Sequence, residues 1–134
     1  MGSSEERDGT TRNAIKAINE NLNRDGYNAA LLLSFIYVNI RLRSLLTDYL
    51  SPTQPRWKET HSVLGSLQFP RLLKYCKDYR LIDESDKDKL DKLAHKRNNI
   101  AHESVLWRAP TPADIANIEG HCQYAISFLR KTNV

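Results

Sequence analysis

The sequence is short of the residues that would staple it, divide it or carry it into a membrane. It holds two cysteines, Cys76 and Cys122, too few for a disulfide framework and too far apart for a zinc site of the paired-cysteine kind. A reducing interior is the natural setting for such a chain. Five prolines and five glycines leave no low-complexity segment. No stretch alternates polar and apolar residues as a half-buried strand does, which argues against a sheet. The opening MGSSEERDGTTRN lacks a basic region followed by an apolar one and does not read as a signal peptide. The longest near-apolar run, Ala29 to Val38, is broken by Ser34 and stopped by Asn39 and Arg41, short of the ~20 residues that span a bilayer. The expectation is a cytoplasmic protein with no membrane partner and no bound metal.

What is present suits one folded domain. A chain of 134 residues is long enough to bury roughly two-thirds of the surface its unfolded form exposes. Its 40% hydrophobic and 27% charged residues are those of an ordinary globular protein. A net charge of +4 and a pI near 9.1 tilt it towards partners that carry phosphate, although a solvated surface with a modest excess of Lys and Arg has the same charge.

Punctuation residues divide the chain into five helical segments. Residues 1–10 read as a flexible N-terminus and 11–134 as a single helical domain. The first helix is expected to start after Thr10 or Thr11, to carry Ile15, Ile18 and Leu22 on one face, and to stop at Asn23-Arg24-Asp25-Gly26. The second, Tyr27 to Leu50, is apolar over much of its circumference and reads as the central helix, ended by Ser51-Pro52. Residues 51 to about 66 read as a connection with at most one helical turn. Pro70 fits the first turn of a third helix, and Asp83-Glu84-Ser85-Asp86 suits the start of a fourth. Thr111-Pro112-Ala113-Asp114 joins a capping box to a first-turn proline, the clearest start signal in the chain.

The fourth helix carries the residues of interest. Its apolar stripe runs Leu90, Leu93, Arg97, Ile100, so an arginine stands where the period assigns a buried or interface position. Two readings account for it: a structural salt bridge, or an anion-binding cleft between subunits. Asn98 and His102 are four residues apart and share a face if the helix continues, so the amide can orient the imidazole. Arg97 and His102 are five apart, about 140° around a straight helix. Their convergence requires a helix end near Ala101, a long reach by the arginine, or a second subunit across a two-fold axis. Arg56 and His61 repeat the same spacing in a proline-flanked stretch, so spacing alone does not mark a site.

The run Lys96-Arg97-Asn98-Asn99-Ile100-Ala101-His102 resembles the motif of HEPN domains (higher eukaryotes and prokaryotes nucleotide-binding), in which an arginine followed by a polar residue precedes a histidine. The likeness extends to Gly26 before a long apolar second helix and to the capped last helix. It implies an all-α, HEPN-like antiparallel bundle of about five helices that forms a two-fold homodimer with both motifs in one cleft. It also implies metal-independent, cofactor-independent cleavage of RNA, in a toxin or defence effector with an antitoxin or companion protein as partner. On that resemblance His102 would act as general base or acid and Arg97 would neutralise charge on the phosphoryl oxygens. Asn98 would orient the histidine or the phosphate. Lys96, Arg41 and Arg43 are the RNA-binding candidates, with exposed helix residues as the other reading of the last two. HEPN domains that only bind or assemble, and an unrelated helical interaction domain, are the alternative readings. Trp57 and Trp107 offer base stacking or loop anchoring; His95 and His121 read as surface or capping residues.

Overall fold

The computed structural model describes the backbone of residues 4–52, 54–102 and 111–133, with side chains for 9–52, 56–100 and 111–133. Among them there are six α-helices and no strand: α1 (Ser4–Asn23), α2 (Tyr27–Leu50), α3 (Gln54–Leu64), α4 (Phe69–Asp78), α5 (Glu84–His102) and α6 (Pro112–Lys131). The all-α expectation holds. Two boundaries differ from it. Helix α1 starts at Ser4, ahead of the apolar period of the later residues, which marks only where its packing face begins. The stretch after Pro52 forms α3, because Pro55 falls in the first turn of a helix, where proline is tolerated, instead of breaking one.

Local chemistry accounts for most of the ends. Thr111 accepts the Asp114 N–H at 3.1 Å while the Asp114 carboxylate accepts the Thr111 N–H at 3.0 Å, the reciprocal capping box expected there. Asp83 accepts the Asp86 N–H at 2.7 Å and starts α5. At the α1–α2 turn it is Asp25, with φ 59°, that takes the left-handed conformation, not Gly26; aspartate tolerates that region through its short polar side chain.

Helix α2 is the axis of the fold. It is long and apolar enough, by length and composition, to cross a membrane, longer than the broken run in the sequence suggests. Leu31, Val38, Leu42 and Leu46 along it are fully buried against Ile18 of α1, Leu72 and Leu73 of α4, Leu90 and Leu93 of α5, and Phe128 and Leu129 of α6. Truncating any one of these leucines to alanine in such a core costs about 2–5 kcal/mol. Helix α6 runs in the same direction as α2, with Cys122 beside Ser34 and Leu129 beside Arg41. Helix α5 runs the opposite way along both, with Asp86 against Lys131 and Arg97 against Phe35. The last turns of α5 therefore lie beside the N-terminal half of α2.

Candidate functional site

Helix α5 buries Leu90, Leu93 and Ile100, and that packing carries Arg97 inward with them. Its guanidinium carbon stands 4.1 Å from the centroid of the Phe35 ring of α2, and Phe35 in turn meets Phe69 of α4 at 4.8 Å with the rings tilted by 46°. The side chain is half-buried. Among the described residues no carboxylate pairs with it, and its Nε is shut from solvent without a hydrogen-bond partner. The salt bridge, one of the two readings of this position, is absent among those residues. A buried donor left unmade costs about 1–3 kcal/mol and more when charged, whereas a cation over a desolvated ring recovers about 2 kcal/mol.

The other motif residues are placed less fully. Helix α5 continues through His102, so the helix does not end at Ala101, and positions 97 and 102 stand about 140° apart around one axis. The side chain of His102 lies outside the described residues, as does Trp107. Asn98 is exposed and Lys96 half-buried.

Of the two arginines proposed on α2, Arg41 is corrected outright. It is 8% exposed. It donates to Leu129 O at 2.7 Å, to Thr132 Oγ1 at 2.9 Å and to Thr11 Oγ1, tying α2 to the last turn of α6 and to α1. The unsatisfied carbonyls of a helix C-terminus suit a cation, which is why the arginine turns inward and offers no face to phosphate. Arg43 differs. It is half-buried at the α2–α3 crossing, with its Nε enclosed and unpartnered, and its Nη1 is 3.2 Å from where a Cβ on residue 65 would stand. Glycine at that position leaves the guanidinium its room.

Beside Arg43, α3 presents an aromatic pair absent from the sequence-based reading. Trp57 and His61 stack at 4.7 Å with their planes 16° apart, and the indole N–H is fixed to Asp48 at 2.6 Å. Burial first, then the Arg43 charge, holds the His61 imidazole below its usual range, against a weaker upward pull from Asp48. Trp57 and His61 were hidden because four-residue spacing means adjacency only on a helix, and α3 reads as a loop.

His95 is exposed and His121 half-buried between α5 and α6. Both cysteines are buried and free, and burial pushes the Cys76 thiol up to about 12, which makes it a packing residue and not a nucleophile. Among the described residues no group of three or more His, Cys, Asp or Glu side chains gathers as a metal site would require.

No family model, curated protein or solved structure matches the chain. Function is therefore argued from the arrangement of its side chains and from the motif.

Proposed function

We propose that the protein is a metal-independent endoribonuclease of the HEPN type that acts as a two-fold homodimer, with Arg97 and His102 as its reactive pair. The observation that carries this reading is the state of Arg97: a half-buried, stacked guanidinium with no anionic partner among the described residues. That arrangement loses stability in the free protein and gains it when an oxyanion arrives, the pattern expected of a preorganised electrostatic catalyst. In the proposed reaction His102 removes the proton from a ribose 2′-OH, the resulting oxygen attacks the adjacent phosphorus, and the 5′-oxygen leaves with a proton supplied by a second imidazole. Arg97 holds the non-bridging oxygens as their charge grows. Asn98 orients the histidine or the phosphate, and Lys96 and Arg43 contact the flanking backbone.

Two features support the dimer. Arg97 and His102 stand five positions apart on continuous helix, which favours one residue from each subunit at a given phosphate. In addition, Leu32, Ile36 and Ile40 recur at four-residue spacing on α2 and remain 38%, 49% and 39% exposed. They form an apolar stripe next to Phe35, the platform of Arg97, and a second copy laid along it would bring two motifs together.

The test is incubation of the protein with labelled RNA in excess chelator, beside Arg97→Ala and His102→Ala. Cleavage by the parent and its loss in both variants is the expected result. Cleavage that survives both substitutions removes the site, and an inert parent that still binds RNA makes the chain a binding module.

A further inference from the structure

A second region of uncompensated positive charge lies on the other flank of α5. Lys89, Lys92, Gly120, His121 and Tyr124 line a groove of about 320 Å³ between α5 and α6, and Lys96 lies close enough to act on His121. Lys89, Lys92 and Lys96 occupy i, i+3 and i+7 on one helix side, a rise of about 10 Å. Neighbouring lysines are paired: Lys87 holds Asp91 at 3.4 Å and Lys131 holds Asp86 at 2.6 Å. Among the described residues Lys89, Lys92 and the adjacent Lys96 have no ion pair, and Lys89 makes only a 5.2 Å approach to the Tyr124 ring.

Two further observations concern the floor of the groove. Gly120 sits in mid-helix, where glycine costs about 1 kcal/mol relative to alanine, yet a Cβ there would meet nothing within 4 Å. Packing does not require the glycine; it lets a ligand approach the α6 backbone. His121 is half-buried, and burial, then Lys96 and Lys92, holds its imidazole below the usual range. At neutral pH it is an uncharged hydrogen-bonding group among cations.

We infer that this α5–α6 groove is a second anion site that holds the phosphodiester backbone of an RNA strand, with Lys89, Lys92 and Lys96 as point charges, His121 as a hydrogen-bond partner and Gly120 as the open floor. The inference rests on reading the chain as an RNA-binding protein, but not on its cutting RNA. An acidic peptide fits less well. Lysine serves either anion as a compact point charge, and it is the RNA-binding reading of Arg97, on the same helix, that selects the phosphodiester.

The experiment measures binding of a fluorescent 2′-O-methyl oligoribonucleotide, which lacks the attacking hydroxyl, across a salt series. The parent is compared with the Lys89→Gln, Lys92→Gln, Lys96→Gln triple variant and with Gly120→Leu, all checked for helicity. Each backbone contact contributes about 0.7 to the slope of log K against log salt for a single strand, so the triple variant is expected to lose about 2 from the slope. Gly120→Leu, which fills the groove without changing charge, is expected to weaken binding at every salt concentration. A slope unchanged in the triple variant overturns the proposal, as does a parent that binds no oligonucleotide. Polyglutamate binding that depends on the same lysines, with no oligonucleotide binding, assigns the groove to an acidic protein and also overturns it. If the slope falls as expected while the parent cleaves no natural RNA, the groove stands and the nuclease reading fails.

Discussion

Replacement of Arg97 by methionine separates a functional arginine from a structural one. Methionine approximates the length of the arginine stem and can pack on Phe35 through its sulfur, a contact of about 0.3–1.5 kcal/mol that replaces much of the roughly 2 kcal/mol of the cation–ring interaction. The substitution also removes a buried Nε without a partner, relieving about 1–3 kcal/mol. The sum runs from a variant about 0.7 kcal/mol less stable than the parent to one about 2.5 kcal/mol more stable. With a urea m-value of about 1–3 kcal/mol/M, a gain of about 1 kcal/mol raises the unfolding midpoint by roughly 0.3–1 M. Loss of a preorganised charge at the oxyanion is expected to lower the cleavage rate about 10²–10³-fold. Urea titration followed by circular dichroism reads the first quantity, and single-turnover cleavage the second. A variant destabilised by more than about 1 kcal/mol at unchanged m would mean that Arg97 has a stabilising partner, and the site argument would fail with it.

Arg41→Ala removes three inward hydrogen bonds and is expected to cost about 2–4 kcal/mol of stability while leaving the salt slope of RNA binding unchanged; a selective loss of binding would restore Arg41 as a phosphate ligand. Ile36→Lys places a charge in the exposed α2 stripe and is expected to yield a folded monomer without cleavage activity, read by light scattering after gel filtration; an active monomer would refute the shared cleft. Asp86 is buried, but Lys131 and Tyr124 donate to its carboxylate at 2.6 and 2.7 Å. Burial pushes its pKa up, and those hydrogen bonds and the Lys131 charge outweigh this, leaving it below the ordinary value for an aspartate. The stability it contributes is therefore present above the ordinary aspartate value of about 3.9 and lost as the pH falls through the lower folded one. Asp86→Asn is expected to lose about 1–2 kcal/mol at neutral pH and to unfold with a shallower acid limb; an unchanged acid limb would remove Asp86 as a contributor.

Legibility followed the strength of local signals. The α6 boundary was readable to the residue because a capping box and a first-turn proline act within four positions. Helix α3 was not, because its prolines at 52 and 55 resemble loop punctuation until it is known that the second lies in a first turn. Arg97 stood out through its register in an apolar stripe, but Phe35, the ring that holds it, looked like any other core residue on α2. The contrast between Arg41 and Arg43 was invisible: two residues along α2 separate a guanidinium bonded to Leu129 O, Thr132 and Thr11 from one whose enclosed Nε has no partner among the described residues. Asp86, within a run that reads as the acidic start of a helix, proved buried and bonded to α6.

The charge order of α5 ties the two proposed anion sites together. Its first half carries Glu84, Asp86, Asp88 and Asp91, whereas from Lys92 to His102 there is no carboxylate. Helix electrostatics favours acids at an N-terminus and bases at a C-terminus, but the effect fades beyond the first and last turns. Lys92, Lys96 and Arg97 stand more than one turn from the end at His102, so the helix dipole does not explain them. Pairing does not explain them either: Lys87 has Asp91, and the cations that follow have no equivalent among the described residues. Arg97 turns towards Phe35, and the three lysines line the side facing α6. A polyanion that meets the C-terminal half of α5 would neutralise both faces at once, whereas an isolated phosphate would satisfy only one.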